Sequence, residues 1–198
     1  MPVRTLVSIW PLFAGLSLIG LAVGVQGSLL GVRAELEGFD DYLIGLLMSC
    51  YFAGFLAGSL LTPKMIQRVG HIRIFAALSA VASVTILVHS IYVNPWAWAL
   101  MRLLTGFAFS TIYVVSESWL NQASNNTNRG QVLSIYTAIL LAGICAGQFM
   151  LNVANPREFT LFILISVMVS VAAVPILLSV ITTPAIEETE RVTMRHLW

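Results

Sequence analysis

Six long apolar segments, separated by short polar ones, make up most of the chain. Each is close to the roughly 20 residues that an α-helix needs to cross the hydrocarbon core of a bilayer. The turn pairs Asn94-Pro95 and Asn155-Pro156 separate neighbouring segments. The pattern therefore predicts an all-α fold, an integral membrane bundle of six transmembrane helices. The predicted spans are residues 5–32, 42–61, 74–93, 96–120, 132–153 and 159–183.

The two ends of the chain raise the question of domain organisation. The apolar run after Arg4 resembles the start of a secretory signal peptide, but its 28 uncharged positions, 5–32, are too many for a signal core. We therefore interpret it as the first transmembrane helix. We predict one six-helix transmembrane domain at residues 1–183 and a cytoplasmic C-terminal tail at 184–198.

The amino-acid composition limits the classes of protein to which this chain can belong. Of the 198 residues, 58% are hydrophobic and only 10% are charged, which leaves too little polar surface to cover a soluble globule. The expected partner is therefore a lipid bilayer.

The charges and cysteines exclude several other classes of partner and site. The net charge is only +1 and the basic residues form no stripe, which excludes nucleic acid as a binding partner. Cys50 and Cys145 lie inside apolar runs, so we predict no metal site and no cofactor. The sequence contains no zinc-protease H-E-x-x-H, phosphate-binding P-loop or G-x-S-x-G nucleophile motif, and we predict that the protein is not an enzyme.

Basic residues are distributed unevenly between alternate loops, and Lys and Arg favour the cytoplasmic side of a membrane. The distribution predicts cytoplasmic N- and C-termini in the cell inner membrane. One side holds Arg4, Lys64, Arg68, Arg73, Arg129, Arg191 and Arg195, and the other holds Arg33 and Arg157.

An internal repeat relates the second and fifth predicted spans. The pattern A-G-x-x-A-G occurs at residues 53–58 and again at 142–147. Three spans separate the two copies, so they cross the membrane in opposite directions, as in an inverted three-plus-three repeat. Small residues four apart are also common wherever membrane helices pack closely. Either way, we expect Gly54, Gly58, Gly143 and Gly147 to lie at close helix contacts.

Two ionisable residues, Arg102 and Glu117, fall inside the fourth predicted span. A charge at the centre of a membrane helix costs about 2.5–3.5 kcal/mol on insertion scales, so each is a candidate for transport or coupling. They lie about 22 Å apart along the helix axis but differ by only about 60° around it. Both can therefore face one cavity. The structural alternative is that each reaches the nearer interface.

Other polar residues in the spans have two open interpretations. Gln26, Tyr113, Tyr136 and Gln148 either line a cavity or hydrogen-bond between helices. We interpret His89 as a satisfied histidine at the interface. Three aromatic residues at the turn between the third and fourth spans, Tyr92, Trp96 and Trp98, are expected to anchor the bundle at headgroup level.

The loop after the second span, residues 63–73, reads P-K-M-I-Q-R-V-G-H-I-R. It resembles the loop motif G-x-L-x-D-R-x-G-R-x of the major facilitator superfamily, with Arg68, Gly70 and Arg73 at matching positions. Pro63 stands where the family usually has Gly, and Gln67 where it usually has Asp. In the family, that Asp takes part in gating.

The fourth span adds two further likenesses. Residues 102–106, R-L-L-T-G, resemble the family motif R-x-x-x-G, whose Arg is often tied to proton coupling. The segments E-S-W-L-N at 117–121 and N-R-G at 128–130 resemble poorly characterised bacterial permeases of the same superfamily. The fifth span lacks the G-P element of drug/proton antiporters. The resemblance implies the N-terminal six-helix half of a twelve-helix fold.

Three functions follow from this resemblance. The first is a transporter half that moves a small solute, with proton coupling kept open, as a homodimer or with a separate second half. The second is a non-transporting structural or accessory subunit of a larger membrane complex. The third is a truncated product without separate activity. Arg102 and Glu117 favour the first, whereas Gln67 in the loop motif favours the second.

The orientation can be tested by cysteine labelling. In a variant without native cysteines, Lys64→Cys and Arg129→Cys should react with an impermeant maleimide only when the reagent reaches the cytoplasmic side. Arg157→Cys, in an opposite loop, is the matched control and should react from outside. Labelling of Lys64→Cys and Arg129→Cys in intact cells would reverse the topology.

Overall fold

The structure, a computed structural model, describes residues 3–178, with side chains from residue 9 onward. The tail predicted for residues 184–198, with Arg191 and Arg195, lies outside the described residues. Six helices are long and apolar enough to cross a membrane, which confirms the predicted number of spans. The helices are α1 (Val3–Leu36), α2 (Asp41–Val69), α3 (His71–Ile91), α4 (Pro95–Gln122), α5 (Arg129–Met150), α6 (Thr160–Ala172) and α7 (Val174–Leu178).

Local sequence explains where several helices begin and end. The side chain of Asp40 accepts a 2.7 Å hydrogen bond from the Leu43 N–H and caps α2. Asn94 caps α4 in the same way, with Pro95 at the first helical position. α6 and α7 form one span, interrupted at Ala173 two residues before Pro175, which has no N–H to continue the helical ladder.

α2 is longer than its apolar run predicts. It continues past residue 61 to Val69 because Lys64, Gln67 and Arg68 are good helix formers that extend it beyond the apolar part. Gly70 then joins α2 directly to α3. Its φ of 87° is strained for residues with a Cβ, and its N–H bonds to the Ile66 carbonyl at 2.9 Å.

The packing of the helices has the symmetry of the repeat. α2 packs on α4 as α5 packs on α1, and α3 packs on α4 as α6 packs on α1. Exchanging the first three helices with the last three therefore leaves these pairings unchanged. α3 and α6 pack on each other, and Ser83 on α3 bonds there to Ser166 at 2.6 Å and Ser170 at 2.8 Å. The fold is the inverted three-plus-three bundle.

The repeated glycines lie at close backbone contacts between the paired helices. A Cβ added at Gly58 would lie 2.7 Å from the Phe107 carbonyl oxygen of α4, and one at Gly54 would collide with the Leu103 carbonyl. On the other pair, a Cβ at Gly143 would lie 3.1 Å from the Cα of Gly20 in α1. A Cβ added at Gly147 would collide with the Leu21 carbonyl oxygen of α1. Backbone contact at both pairs thus depends on these glycines.

Replacement of one contact glycine should destabilise the bundle. Gly58→Ala should lower the free energy of unfolding by about 1–3 kcal/mol, because the added methyl group forces α2 away from α4. Gly45→Ala is the matched control on the same helix, since a Cβ there meets no atom within 4 Å. Thermal unfolding in detergent measures both. Equal melting temperatures for the two variants would contradict the proposed contact.

Candidate functional site

Arg102 lies in the interior of the bundle, with 5% of its surface exposed. The close packing of α2 on α4 brings it there. A Cβ on Gly106, one turn along α4, would collide with the Tyr51 carbonyl of α2. The glycine of the R-x-x-x-G motif therefore allows the α2 backbone to reach α4 and places the Tyr51 side chain beside the guanidinium.

The contacts of Arg102 are weak ones. Its Cζ lies 4.4 Å from the centre of the Tyr51 ring, a cation–π contact, and its Nη2 lies 3.5 Å from the Met48 sulfur. Its Nε is buried without a hydrogen-bond partner. Within the described part of the chain the one ion pair joins Arg33 to Glu37, so no described carboxylate neutralises Arg102.

A cavity of about 240 Å³ opens beside this guanidinium, between α1, α2 and α4. Gln26 of α1 reaches it with 3% of its surface exposed, and its Nε2 also lacks a hydrogen-bond partner. Two buried nitrogen donors without partners thus belong to side chains that line one space. The cavity is lined by Val23, Gln26, Gly27, Met48, Tyr51, Phe52 and Arg102.

Glu117 lies apart from this cavity, although the sequence allowed both charges of α4 to face one space. It is exposed, and the Tyr136 hydroxyl of α5 donates a 3.2 Å hydrogen bond to its Oε1. Tyr113 lies between the two charges along α4, and its ring packs against Phe55 with centroids 6.2 Å apart. α4 therefore presents Arg102 to α1 and α2, and Glu117 to α5.

Gln148 makes hydrogen bonds between helices. Its Oε1 accepts a 2.6 Å bond from the Ser28 hydroxyl, and its Nε2 donates a 2.8 Å bond to the Gly24 carbonyl, both on α1. These bonds are of the kind that the helix-joining interpretation requires. Tyr136 also joins helices, through Glu117.

Arg33 has a role that sequence reasoning missed. In the sequence Arg33 indicates only the side of its loop. In the structure its Nη2 pairs with Glu37 at 2.6 Å, and its Nη1 donates to the Pro156 carbonyl at 3.1 Å and to that of Arg157. It therefore holds the loop after α5 against the end of α1. The spacing of Arg33 and Glu37, four apart, was the available signal.

Two expectations for the turn between α3 and α4 were wrong. His89 is fully buried instead of interfacial, with Nδ1 2.6 Å from the Thr85 carbonyl oxygen and its ring 5.5 Å from that of Trp98. Trp98 is 1% exposed and donates to the Tyr92 carbonyl, so it belongs to the core. Tyr92 and Trp96 are exposed, as anchors require.

The loop-motif residues are not part of the cavity. Arg68 and Arg73 are exposed on either side of Gly70, at the opposite end of α2 from the α1–α2 connection. Neither makes an ion pair among the described residues. As regards metals, no group of three or more His, Cys, Asp or Glu side chains within residues 9–178 could hold an ion.

Comparison with known proteins gives one family. A sequence model of the Major Facilitator Superfamily matches residues 12–195. An uncharacterized MFS-type transporter of Enterobacter sp. (strain 638) is 30% identical over 179 residues, covering 90% of this chain and 47% of that protein. Uncharacterized MFS-type transporters of Yersinia enterocolitica and Escherichia fergusonii are 29% and 28% identical, over 84% of this chain and 44% of each relative. The chain spans about half the length of these curated relatives.

Proposed function

The chain belongs to the major facilitator superfamily and is a multi-pass membrane protein, and from that premise we propose that it moves a small solute across the cell inner membrane. The cavity beside Arg102 would form part of the solute path. The protein would act by alternating access and not as an enzyme. Its termini, including the tail at 184–198, would be cytoplasmic.

The observation that carries this proposal is that the guanidinium of Arg102 is buried without a counter-charge among the described residues. A buried guanidinium with only a structural role is expected to bind a carboxylate or backbone carbonyls, because an unpaired charge in a membrane bundle is costly. Arg102 has instead a cation–π contact and a sulfur contact, and it lines a cavity. A charge kept available beside an open space is typical of a ligand path.

A complete path needs a second six-helix half. Only 17% of the residues in the most apolar part of α2, and 17% in that of α5, are buried, against 50–61% in the other spans. Large apolar side chains lie exposed on these two helices, Phe52 and Leu60 on α2 and Leu141 and Phe149 on α5. We propose that this side meets the second six-helix half.

For proton coupling the best candidate is Glu117. It is the one acidic residue inside the predicted fourth span, and it is exposed where a bound proton could exchange. The Tyr136 hydroxyl donates a hydrogen bond to its Oε1 and fixes the side chain between α4 and α5. Arg102 would hold the solute and Glu117 would carry the proton.

The alternative is an accessory subunit without transport. It is favoured by the loop motif, where Gln67 replaces the gating Asp of the family and Arg68 lacks an ion pair within the described region. In that case Arg102 would serve assembly, and its loss would weaken association with partner subunits.

Solute flux in reconstituted vesicles separates the two functions. The protein should be purified in mild detergent with everything that co-purifies and assayed with labelled sugars, amino acids, carboxylates and amines, with and without a proton gradient. Arg102→Ala should lower flux by roughly 10–100-fold, the loss of one charged hydrogen-bonding contact, while expression is unchanged. Val84→Ala, at an exposed position on α3, is the control.

Normal flux in Arg102→Ala would remove Arg102 from transport. A stable complex with unrelated subunits and no flux for any solute would favour the accessory function. In that complex, Arg102→Ala should release the partners.

A further inference from the structure

We propose that the cavity beside Arg102 binds a small organic anion through a single carboxylate group. The inference rests on the proposed function and names the substrate class of the same site. In this complex the guanidinium of Arg102 holds the carboxylate, Gln26 donates a further hydrogen bond, and the rest of the ligand lies on apolar side chains.

The internal repeat shows that the fold itself does not require a charge at this position. Gly106 of α4 and Gly20 of α1 are equivalent, because they meet the carbonyl oxygens of Tyr51 and Leu140, each three residues before the first glycine of its repeat motif. Four residues before Gly20 stands Leu16, which is fully buried. The same packing is therefore achieved with leucine where α4 has arginine.

Two hydrogen-bond donors on side chains beside the cavity lack acceptors. The Nε of Arg102 and the Nε2 of Gln26 are both buried without partners, which is costly unless something accepts from them. Both side chains line the cavity. A carboxylate has two acceptor oxygens, and it can accept paired hydrogen bonds from a guanidinium while also accepting one from an amide.

The lining also limits the charge and shape of the ligand. Among the described residues that line the cavity, Arg102 alone is charged, so a monovalent anion is neutralised and a dianion such as phosphate is not. Val23, Met48 and Phe52 supply an apolar surface for the remainder of the ligand. At about 240 Å³ the cavity greatly exceeds the roughly 10–15 Å³ that one water needs.

Cation–π packing alone does not account for the site. The Tyr51 ring contacts one face of the guanidinium through its π-electrons, whereas hydrogen-bond donors point outward in the guanidinium plane. The ring therefore leaves the Nε donor unfilled, and it does nothing for Gln26.

The test uses acids and their uncharged amides as matched probes. The whole protein in nanodiscs should be melted with acetate, butyrate and benzoate, and with acetamide, butyramide and benzamide. The carboxylates should raise the melting temperature and the amides should not. Affinity derived from the shift should differ by about tenfold or more within each pair.

Three variants locate the binding. Arg102→Gln should abolish the carboxylate shift. Gln26→Glu should abolish it as well, since the new carboxylate occupies the guanidinium, and should raise the melting temperature of the ligand-free protein. Gly27→Leu should fill the cavity without disturbing the helix, because a Cβ at Gly27 meets no atom within 4 Å. Val84→Ala, on the exposed face of α3, should behave like the native protein.

Several results would overturn the site. These are equal shifts for acid and amide, no carboxylate shift in the native protein, or a shift that persists in Arg102→Gln or Gly27→Leu. The experiments distinguish failure of the proposed binding site from failure of the proposed transport function. Carboxylate binding at Arg102 without solute flux would leave the site intact and refute transport, whereas solute flux without any carboxylate shift would refute the site alone.

Discussion

A positive charge buried inside a membrane bundle, with no carboxylate to neutralise it among the described side chains, is the constraint on which the interpretation of this structure depends. Arg102 belongs to a helix whose other buried residues are apolar, small or hydroxylic. Its position costs stability, and the surrounding helices reduce that cost only in part, through Tyr51 and Met48. What the packing leaves unsatisfied is what a ligand can satisfy.

Glycine contacts between helices create this environment. Gly54, Gly58 and Gly106 bring α2 against α4 closely enough for the Tyr51 ring to cover the guanidinium. The same contacts are repeated between α5 and α1, yet that pair places Leu16 at the position equivalent to Arg102. Symmetric packing therefore supports an asymmetric site, with the charge on only one of the two repeats.

Much of the fold could be predicted from sequence because it depends on local composition. Apolar run length predicts the six spans, and the A-G-x-x-A-G copies predict the inverted repeat. The cost of burying a charge predicts that Arg102 turns inward. Features that depend on how helices rotate against each other could not be predicted. The meeting of Gln26 with Arg102 in one cavity, the burial of Trp98 and the contacts of Arg33 across 123 residues belong to this class.

The central claim, that the charge of Arg102 is kept for a ligand and not for the fold, is tested most directly by the unfolding temperature of Arg102→Met without ligand. Methionine keeps most of the length of the side chain and removes the charge. If the guanidinium has no structural counter-charge, the variant should melt at the same temperature as the native protein or higher, since replacing a poorly satisfied buried charge by an apolar side chain is neutral or stabilising. A marked fall in melting temperature would show that Arg102 is part of a structural network and would contradict the account.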